Sequence, residues 1–302
     1  MRCISVEYLN NAASSPESFV AEGERLYFEQ LQEAAEKICE HRADKPIVLI
    51  SGPSGSGKTT SAMRVAAALK KKGCGAHVIS MDNYFLPLKR DVELHGKDNI
   101  DYESPERLDI ELFDEHLEKL RRNEEIDIPG FDFALQDRIP GMKLRRSEGD
   151  LVIIEGIHAL NPLVTGDSDD YTHRIYVSVR TRIQSGEELL HPSKIRLMRR
   201  LMRDKLYRGR EQAETFEFFK SVERGEDLYI MPHKHRANFD IDTFIEYEAS
   251  VYRDILLPEL EKTALTYSSY AEFADIEKFL RLLSPTDKKF VPENALIREF
   301  IG

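Results

Sequence analysis

The chain has little cysteine and no long apolar run, and both absences exclude classes of protein. Its 302 residues include three cysteines, Cys3, Cys39 and Cys74, of which no two form a C-x-x-C pair. This spacing argues against a disulfide framework and against a zinc knuckle, so we expect reduced thiols in a cytoplasmic protein. No stretch approaches eighteen apolar residues, and residues 1–15 hold one arginine and no continuous apolar segment. Neither a membrane span nor a cleaved signal peptide is therefore predicted.

Positive charge is also in deficit. The sequence has 54 acidic side chains against 43 lysines and arginines, which gives a formal net charge of −11 at pH 7. Surfaces that bind nucleic acids or anionic membranes carry a surplus of lysine and arginine, so neither partner is expected. The hydrophobic fraction of 41% is enough for a sizeable core, and the length fits one large α/β domain or two smaller ones. Formation of a homo-oligomer is left open.

The most informative motif is a G-x-x-x-x-G-K-[ST] loop at residues 52–59, between a predicted strand over 46–51 and a predicted helix over about 58–72. Its glycines let backbone N–H groups surround an anion, and the helix N-terminus adds positive potential. We expect Lys58 to reach the terminal phosphates and Thr59 to hold Mg²⁺. The motif therefore predicts a site for a nucleoside triphosphate. The residues expected to contact it here are Gly52, Ser54, Gly55, Ser56, Gly57, Lys58, Thr59 and Thr60.

Apolar runs alternate with helical patterns along the chain. Further strands are predicted over 76–81, 151–154 and 174–179, with a polar, turn-rich segment over 86–107. This alternation predicts an α/β fold, a P-loop three-layer α/β/α sandwich with a mostly parallel sheet and a helical lid. Ligands are then expected at the carboxyl ends of the strands.

Three regions are predicted along the chain. Residues 1–44 combine a loose lead with an amphipathic helix over 17–41. Residues 45–245 form the P-loop catalytic domain, with a lid at about 191–215. Residues 246–302 form a helical extension packed on that domain.

Two carboxylates that follow predicted strands are candidate active-site groups. Asp82 ends the strand over 76–81, where it would accept a proton from an acceptor hydroxyl or contribute to a Mg²⁺ site. Glu155 ends the strand over 151–154, a position typical of an acid that organises magnesium-bound water. A turn or cap role for Asp82, and a buried Glu155 satisfied by the backbone, are the alternatives. Three histidines lack partners at metal-ligand spacing and are expected to be structural: His158, His233 and His235.

A basic segment reverses the acidic balance locally. Its cationic residues are Arg196, Arg199, Arg200, Arg203, Lys205, Arg208 and Arg210. On a helix the first four share one face, opposite leucines and methionines, so the helix can pack and still present a row of guanidinium groups. We expect a mobile lid that closes on phosphates, stabilises transferred charge and excludes water. A solvated surface helix is the alternative.

Other residues fit a pocket for the acceptor. Asp101 would accept hydrogen bonds from vicinal hydroxyls, and Tyr84, Phe131 and Phe133 would stack on a flat ring. The alternative is that these aromatic side chains belong to the core, which is more common near strands.

Six motifs, in order along the predicted P-loop domain, together resemble the uridine kinase and phosphoribulokinase family. They lie at 52–59, 81–85, 100–102, 131–133, 154–157 and 199–209. The resemblance implies Mg-ATP-dependent transfer of the γ-phosphoryl group to a primary hydroxyl, with Asp82 as the catalytic aspartate. It implies that Asp101 holds ribose hydroxyls and that Arg203 lies on the substrate side. Arg208 and Arg210 match the lid arginines that contact ATP.

Within the family, the chain is most similar to the kinase half of long bacterial uridine kinase-like proteins, which carry a threonyl-tRNA-synthetase-like region ahead of it. Residues 225–232 and 291–302 resemble the tail of that subgroup, and the leading region is not expected here. True uridine kinases have Tyr-Asp-Phe followed after two residues by a base-reading histidine, whereas this chain has Phe131-Asp132-Phe133 and then Gln136, whose amide can bond a pyrimidine edge. A uridine- or cytidine-type nucleoside is the favoured acceptor. The alternatives are a sugar phosphate, as in phosphoribulokinase, and a nucleotide-binding regulator without phosphotransfer.

Overall fold

The computed structural model describes residues 2–96 and 100–302, in which strands and helices alternate. The strands are β1 (Cys3–Ser5), β2 (Ile47–Ser51), β3 (Ala76–Ser80), β4 (Ile126–Asp132), β5 (Asp137–Leu144), β6 (Leu151–Glu155), β7 (Thr172–Ser178), β8 (Arg182–Ser185), β9 (Glu188–Leu190) and β10 (Phe239–Asp242). The α-helices are α1 (Val6–Ala13), α2 (Pro16–Glu40), α3 (Lys58–Lys71), α4 (Leu88–His95), α5 (Ile110–Arg121), α6 (Pro162–Thr165), α7 (Pro192–Arg208), α8 (Gln212–Gly225), α9 (Glu248–Ala264), α10 (Ala274–Leu282) and α11 (Arg298–Ile301). Within the described ranges no helix is both long and apolar enough to cross a membrane. Residues 97–99 of the predicted turn-rich segment lie outside the described residues.

Five parallel strands form the central sheet, in the order β10–β7–β2–β6–β3. Strand β2 lies in the middle and is buried along its whole length. Its side chains alternate between two hydrophobic clusters. Val48 and Ile50 belong to the cluster that contains residues of α2, α3 and α7, whereas Ile47 and Leu49 belong to the cluster that contains residues of α5. Helices therefore cover both faces of the sheet, which confirms the predicted three-layer α/β/α sandwich.

The N-terminal residues form regular structure, whereas the sequence predicts a loose lead there. The three-residue strand β1 pairs in parallel with β8, and Ser5 caps α1 by accepting a hydrogen bond from the backbone N of Tyr8 at 3.0 Å. Leu9 is fully buried. The predicted loose lead is wrong because so short a strand, paired with a distant segment, leaves no periodicity in the sequence.

Cys39 and Cys74 form a disulfide, with their Cα atoms 6.4 Å apart. The packing of α2 on α3 brings together these two residues, which are 35 positions apart in the sequence. The expectation of reduced thiols is therefore wrong for this pair, because spacing along the chain does not reveal which segments pack together. Cys3 is free and exposed.

Two further elements surround the loop between β2 and α3. Strands β4 and β5 form an antiparallel hairpin that packs on the turn at Met81–Tyr84. On the other side, α9 and α11 pack on α7, with Leu296 and Phe300 fully buried. The carboxyl ends of the central strands thus face a space bounded by the hairpin, α7 and the C-terminal residues.

Candidate active site

The loop after β2 has the geometry that the motif predicts. Gly57 precedes α3 with a φ of +81°, a conformation that favours glycine. Lys58 begins the helix, and its Nζ donates a hydrogen bond to the carbonyl oxygen of Pro53 at 3.3 Å. The hydroxyl of Ser56 is buried and has no hydrogen-bond partner among the described residues. The loop therefore offers donors to an anion at the N-terminus of α3.

Two carboxylates meet at the edge of this loop. Strands β3 and β6 are neighbours, with Ser80 directly opposite Glu155, so Asp82 and Glu155 leave adjacent strands at the same end of the sheet. The Oγ1 of Thr59 donates a hydrogen bond to Oε1 of Glu155 at 3.1 Å. The structure thus brings together the predicted residues of the loop, the turn after β3 and the end of β6.

The charges in this cluster act strongly on one another. Loss of contact with water raises the pKa of Asp82 and of Glu155, and the positive charge of Lys58 opposes both increases. The same loss of water contact lowers the pKa of Lys58, while Glu155 and Asp82 oppose that decrease. Arrangements in which burial and specific charges pull a pKa in opposite directions are typical of reactive sites.

The oxygen donors here fit a magnesium ion that is bound together with phosphates. Thr59 supplies a hydroxyl, and Asp82 and Glu155 supply carboxylates. Among the described residues no group of three or more histidine, cysteine, aspartate or glutamate side chains could hold a metal alone. Magnesium usually keeps several waters and takes only one or two protein ligands beside substrate phosphates, so this sparse oxygen set is suitable for it.

The inner half of α7 differs from the predicted guanidinium row. Arg196, Arg199 and Arg200 are buried. The Nη1 of Arg196 donates a hydrogen bond to the carbonyl oxygen of Ser54 at 3.2 Å. The Nη1 of Arg200 donates a hydrogen bond to the Oγ of Ser54 at 2.6 Å. The Nη1 of Arg199 donates to the carbonyl oxygen of Gly55 at 3.0 Å. These side chains support the phosphate loop from behind, so the prediction that they form an exposed row is wrong.

The outer half of α7 forms a cluster around Asp204, a residue for which the sequence suggested no role. Its fully buried carboxylate lies 3.0 Å from Arg208, 3.7 Å from Arg210 and 3.9 Å from Arg203. Arg203 and Arg208 are close enough to Asp82 to lower its pKa against the effect of burial. Arg200 also lies 3.6 Å from Asp204, and the carboxylate of Glu299 lies 3.6 Å from Arg203. Two carboxylates thus face four guanidinium groups, and the remaining positive charge is suited to a phosphate.

Asp101 is engaged by other protein groups. Its Oδ2 accepts a hydrogen bond from the hydroxyl of Tyr229 at 2.9 Å and one from Nη2 of Arg224 at 2.6 Å. Its Oδ1 accepts from the backbone N of Glu103 at 3.2 Å. The carboxylate thus orders the segment after α4 against the end of α8, and its expected contact with acceptor hydroxyls is not supported.

Glu103, two residues after Asp101, lies near the charges of the phosphate loop and of α7. It packs on Gly225, where a Cβ would lie 2.3 Å from the Cβ of Glu103, so only glycine allows this approach. Burial raises the pKa of Glu103 to about 7, and the charges of Arg200 and Lys58 oppose the increase. One signal in the sequence points to this residue, namely a second carboxylate two positions after Asp101.

The predicted aromatic platform is divided between core and surface. Tyr84 is fully buried and its hydroxyl bonds Nδ1 of His116 at 2.9 Å, so its expected role in stacking on the acceptor is wrong. Phe131 and Phe133 lie on the hairpin with ring centroids 5.2 Å apart, and Phe133 is 56% exposed. The Nε2 of Gln136 donates to the carbonyl oxygen of Phe133 at 2.8 Å.

His158 lies inside the protein next to Tyr229. Its side chain is buried, and neither ring nitrogen has a hydrogen-bond partner among the described residues. The ring meets that of Tyr229 edge to face, with centroids 6.2 Å apart. Burial lowers the pKa of His158 to about 4, so the imidazole is neutral at physiological pH.

Comparison with known proteins agrees with this geometry. The model of the phosphoribulokinase and uridine kinase family matches residues 47–248. The uridine kinase of Ureaplasma parvum serovar 3 is 28% identical over 198 residues, covering 65% of this chain and 86% of the relative. The uridine kinase of Staphylococcus aureus is 29% identical over 196 residues, with coverages of 65% and 86%.

A solved structure extends the similarity to three dimensions. A candidate fructose transport system kinase from Silicibacter sp. TM1040 superposes with a TM-score of 0.52 and 25% identity, covering 70% of this chain and 97% of that chain. The family match includes the phosphate loop, both carboxylates and the arginine cluster. The chain therefore belongs to the phosphoribulokinase and uridine kinase family and is an ATP-dependent kinase of the P-loop type.

Proposed function

We propose that the protein transfers the γ-phosphoryl group of ATP to a hydroxyl of a uridine- or cytidine-type nucleoside. The observation that carries this proposal is the position of Asp82 beside Lys58, Arg203 and Arg208, next to the phosphate loop. The names of the curated relatives, uridine kinases in each case, support a nucleoside as acceptor.

In this mechanism Asp82 orients the acceptor hydroxyl and takes up its proton as the oxygen attacks the γ-phosphorus. The new O–P bond forms while the bond to the bridging oxygen of ADP breaks. Partial burial raises the pKa of Asp82, which makes it a better proton acceptor at neutral pH. Lys58 and Arg203 stabilise the charge of the transferred group. A bound Mg²⁺, held through Thr59 and Glu155, would neutralise phosphate charge.

Glu103 supplies the acceptor side of the site in this proposal. Its carboxylate lies near Arg200 and Lys58, at the edge of the space where the hydroxyl must react. A carboxylate can accept hydrogen bonds from two vicinal hydroxyls, as in a ribose. Phe131 and Gln136, on the hairpin, would contact the base by stacking and by hydrogen bonding. Asp101 then acts indirectly, by holding the backbone of Glu103.

The lid in this proposal is only the outer part of the predicted segment 191–215. Residues from 205 onward in α7 are largely exposed, and they lead through Gly209 to Arg210. The inner part is fixed to the phosphate loop by Arg199 and its neighbours. Closure would therefore bring Arg208 and Arg210 over the phosphates while the base of the helix stays in place.

A sugar or sugar phosphate is the second candidate acceptor. The structural similarity to a candidate fructose transport system kinase favours it, because it extends over 97% of that chain. The replacement of a base-reading histidine by Gln136 is compatible with either acceptor.

Thermal-shift screening with a non-hydrolysable ATP analogue separates the two candidates. A compound that binds the native state raises its melting temperature by mass action. We expect uridine or cytidine to raise it further in the presence of the analogue. A further increase with fructose or a sugar phosphate, and none with nucleosides, would replace the first candidate by the second.

A further inference from the structure

The C-terminal residues 291–302 lie against the phosphate loop, outside the part of the chain that matches the family. Leu296 contacts the loop directly, because a Cβ added to Gly57 would lie 2.8 Å from its Cδ1. The Oε2 of Glu299 accepts a hydrogen bond from the Oγ1 of Thr60 at 2.7 Å. Its Oε1 lies 3.6 Å from Nη1 of Arg203. One carboxylate of the tail thus holds two side chains at the nucleotide site.

These two contacts are the kind that a phosphate makes. Thr60 lies in the first turn of α3, where backbone N–H groups and the helix N-terminus favour an anion. Arg203 is a cation that also faces Asp82. A carboxylate and a phosphate placed side by side at these groups would repel each other and compete for the same donors.

The backbone of the tail is firmly anchored, so the competition concerns one side chain. Leu296, Ile297 and Phe300 are fully buried. The guanidinium of Arg199 lies over the ring of Phe300, 5.4 Å from its centroid. Glu299 itself is partly exposed, so its carboxylate can turn away while the tail stays packed.

We propose that Glu299 is an internal competitor of the triphosphate. In the free protein its carboxylate occupies Thr60 and Arg203, and binding of ATP displaces it and releases Arg203 toward the transferred group. The tail thereby sets the affinity for nucleotide and keeps Arg203 engaged until ATP is present. This inference rests on the nucleotide site described under the proposed function.

The test compares Glu299→Gln with the control Glu293→Gln. Glu293 is an exposed residue of the same tail, and its substitution removes the same charge. Binding of a non-hydrolysable ATP analogue with Mg²⁺ is measured by titration calorimetry. We expect Glu299→Gln to bind about tenfold more tightly, because removal of the negative charge removes the repulsion, and Glu293→Gln to bind like the wild type. Unchanged or weaker binding by Glu299→Gln overturns the proposal.

A kinetic measurement gives an independent readout. We expect KM for ATP to fall in Glu299→Gln while kcat is retained, whereas a merely structural role would lower kcat or stability without a lower KM. Failure of the wild-type protein to bind the analogue at all would instead contradict the nucleotide site itself.

Discussion

The hydroxyl of Thr59 donates a hydrogen bond to the carboxylate of Glu155, with 3.1 Å between Oγ1 and Oε1. This contact joins the start of α3 to the end of β6. Asp82 lies at the end of the next strand, on the same edge of the sheet. Donor phosphates, metal and acceptor hydroxyl can therefore meet at one place.

Replacement of Asp82 by asparagine should separate binding from turnover. We expect Asp82→Asn to bind the ATP analogue but to lose roughly 10²–10⁴ in kcat, because the amide cannot take up the hydroxyl proton. Steady-state kinetics and calorimetry on the same preparation measure both effects. Near wild-type turnover would show that Asp82 is not the proton acceptor.

Replacement of Glu103 by glutamine should act on the acceptor. We expect at least about a tenfold increase in KM for the acceptor with little change in KM for ATP, since a charge-assisted hydrogen bond is lost. The pKa of Glu103 is about 7, so its carboxylate forms as the pH rises through 7, and wild-type kcat/KM for the acceptor should rise over that range. The variant should lose that increase. The exposed Glu106→Gln is the matched control, and equal profiles for the two variants would contradict the assignment.

Arg199 and Glu248 form a buried pair on which stability should depend. The Nε of Arg199 donates to Oε2 of Glu248 at 2.7 Å, and both side chains are fully buried. Arg199→Met should reduce the free energy of unfolding by about 3–5 kcal/mol, because it leaves an unpaired buried carboxylate. Denaturant unfolding measures the loss. The double variant Arg199→Met with Glu248→Leu should be less destabilised than the single one, and an equal or greater loss would argue against an uncompensated charge.

The free energy of unfolding should also decrease below neutral pH, because two histidines are buried in the folded protein. Burial lowers the pKa of His158 and of His173 to about 4, below the usual value of 6.5. Between these values the unfolded chain binds protons that the folded protein excludes, so the free energy of unfolding should decrease as the pH falls from 6.5 to 4. Each histidine accounts for about 3 kcal/mol at most. His173→Leu should show a shallower decrease in pH-dependent unfolding, and an unchanged slope would contradict the shift.

The donor side of the site could be predicted from the sequence because its parts are local. The loop at 52–59, Asp82 and Glu155 each follow their own strand, and the carboxyl ends of neighbouring parallel strands meet at one edge of the sheet. No knowledge of distant contacts was needed to place them.

The roles of the other residues around the site depend on tertiary packing. Arg199 resembles any arginine of a basic helix until Glu248, 49 positions later, is folded against it. Asp101 and Glu103 are two positions apart in the sequence, but they differ in their tertiary contacts: Glu103 packs on Gly225, and Asp101 accepts a hydrogen bond from Tyr229. Periodicity and motif spacing contain no such information.

The most direct test of the proposed function is to follow ADP formation from Mg-ATP with uridine, cytidine or fructose, and to identify the phosphorylated product. We predict ADP formation that depends on the nucleoside and yields an equal amount of nucleoside monophosphate, both abolished in Asp82→Asn. ADP formation that requires fructose, or that is the same with and without any acceptor, would contradict it.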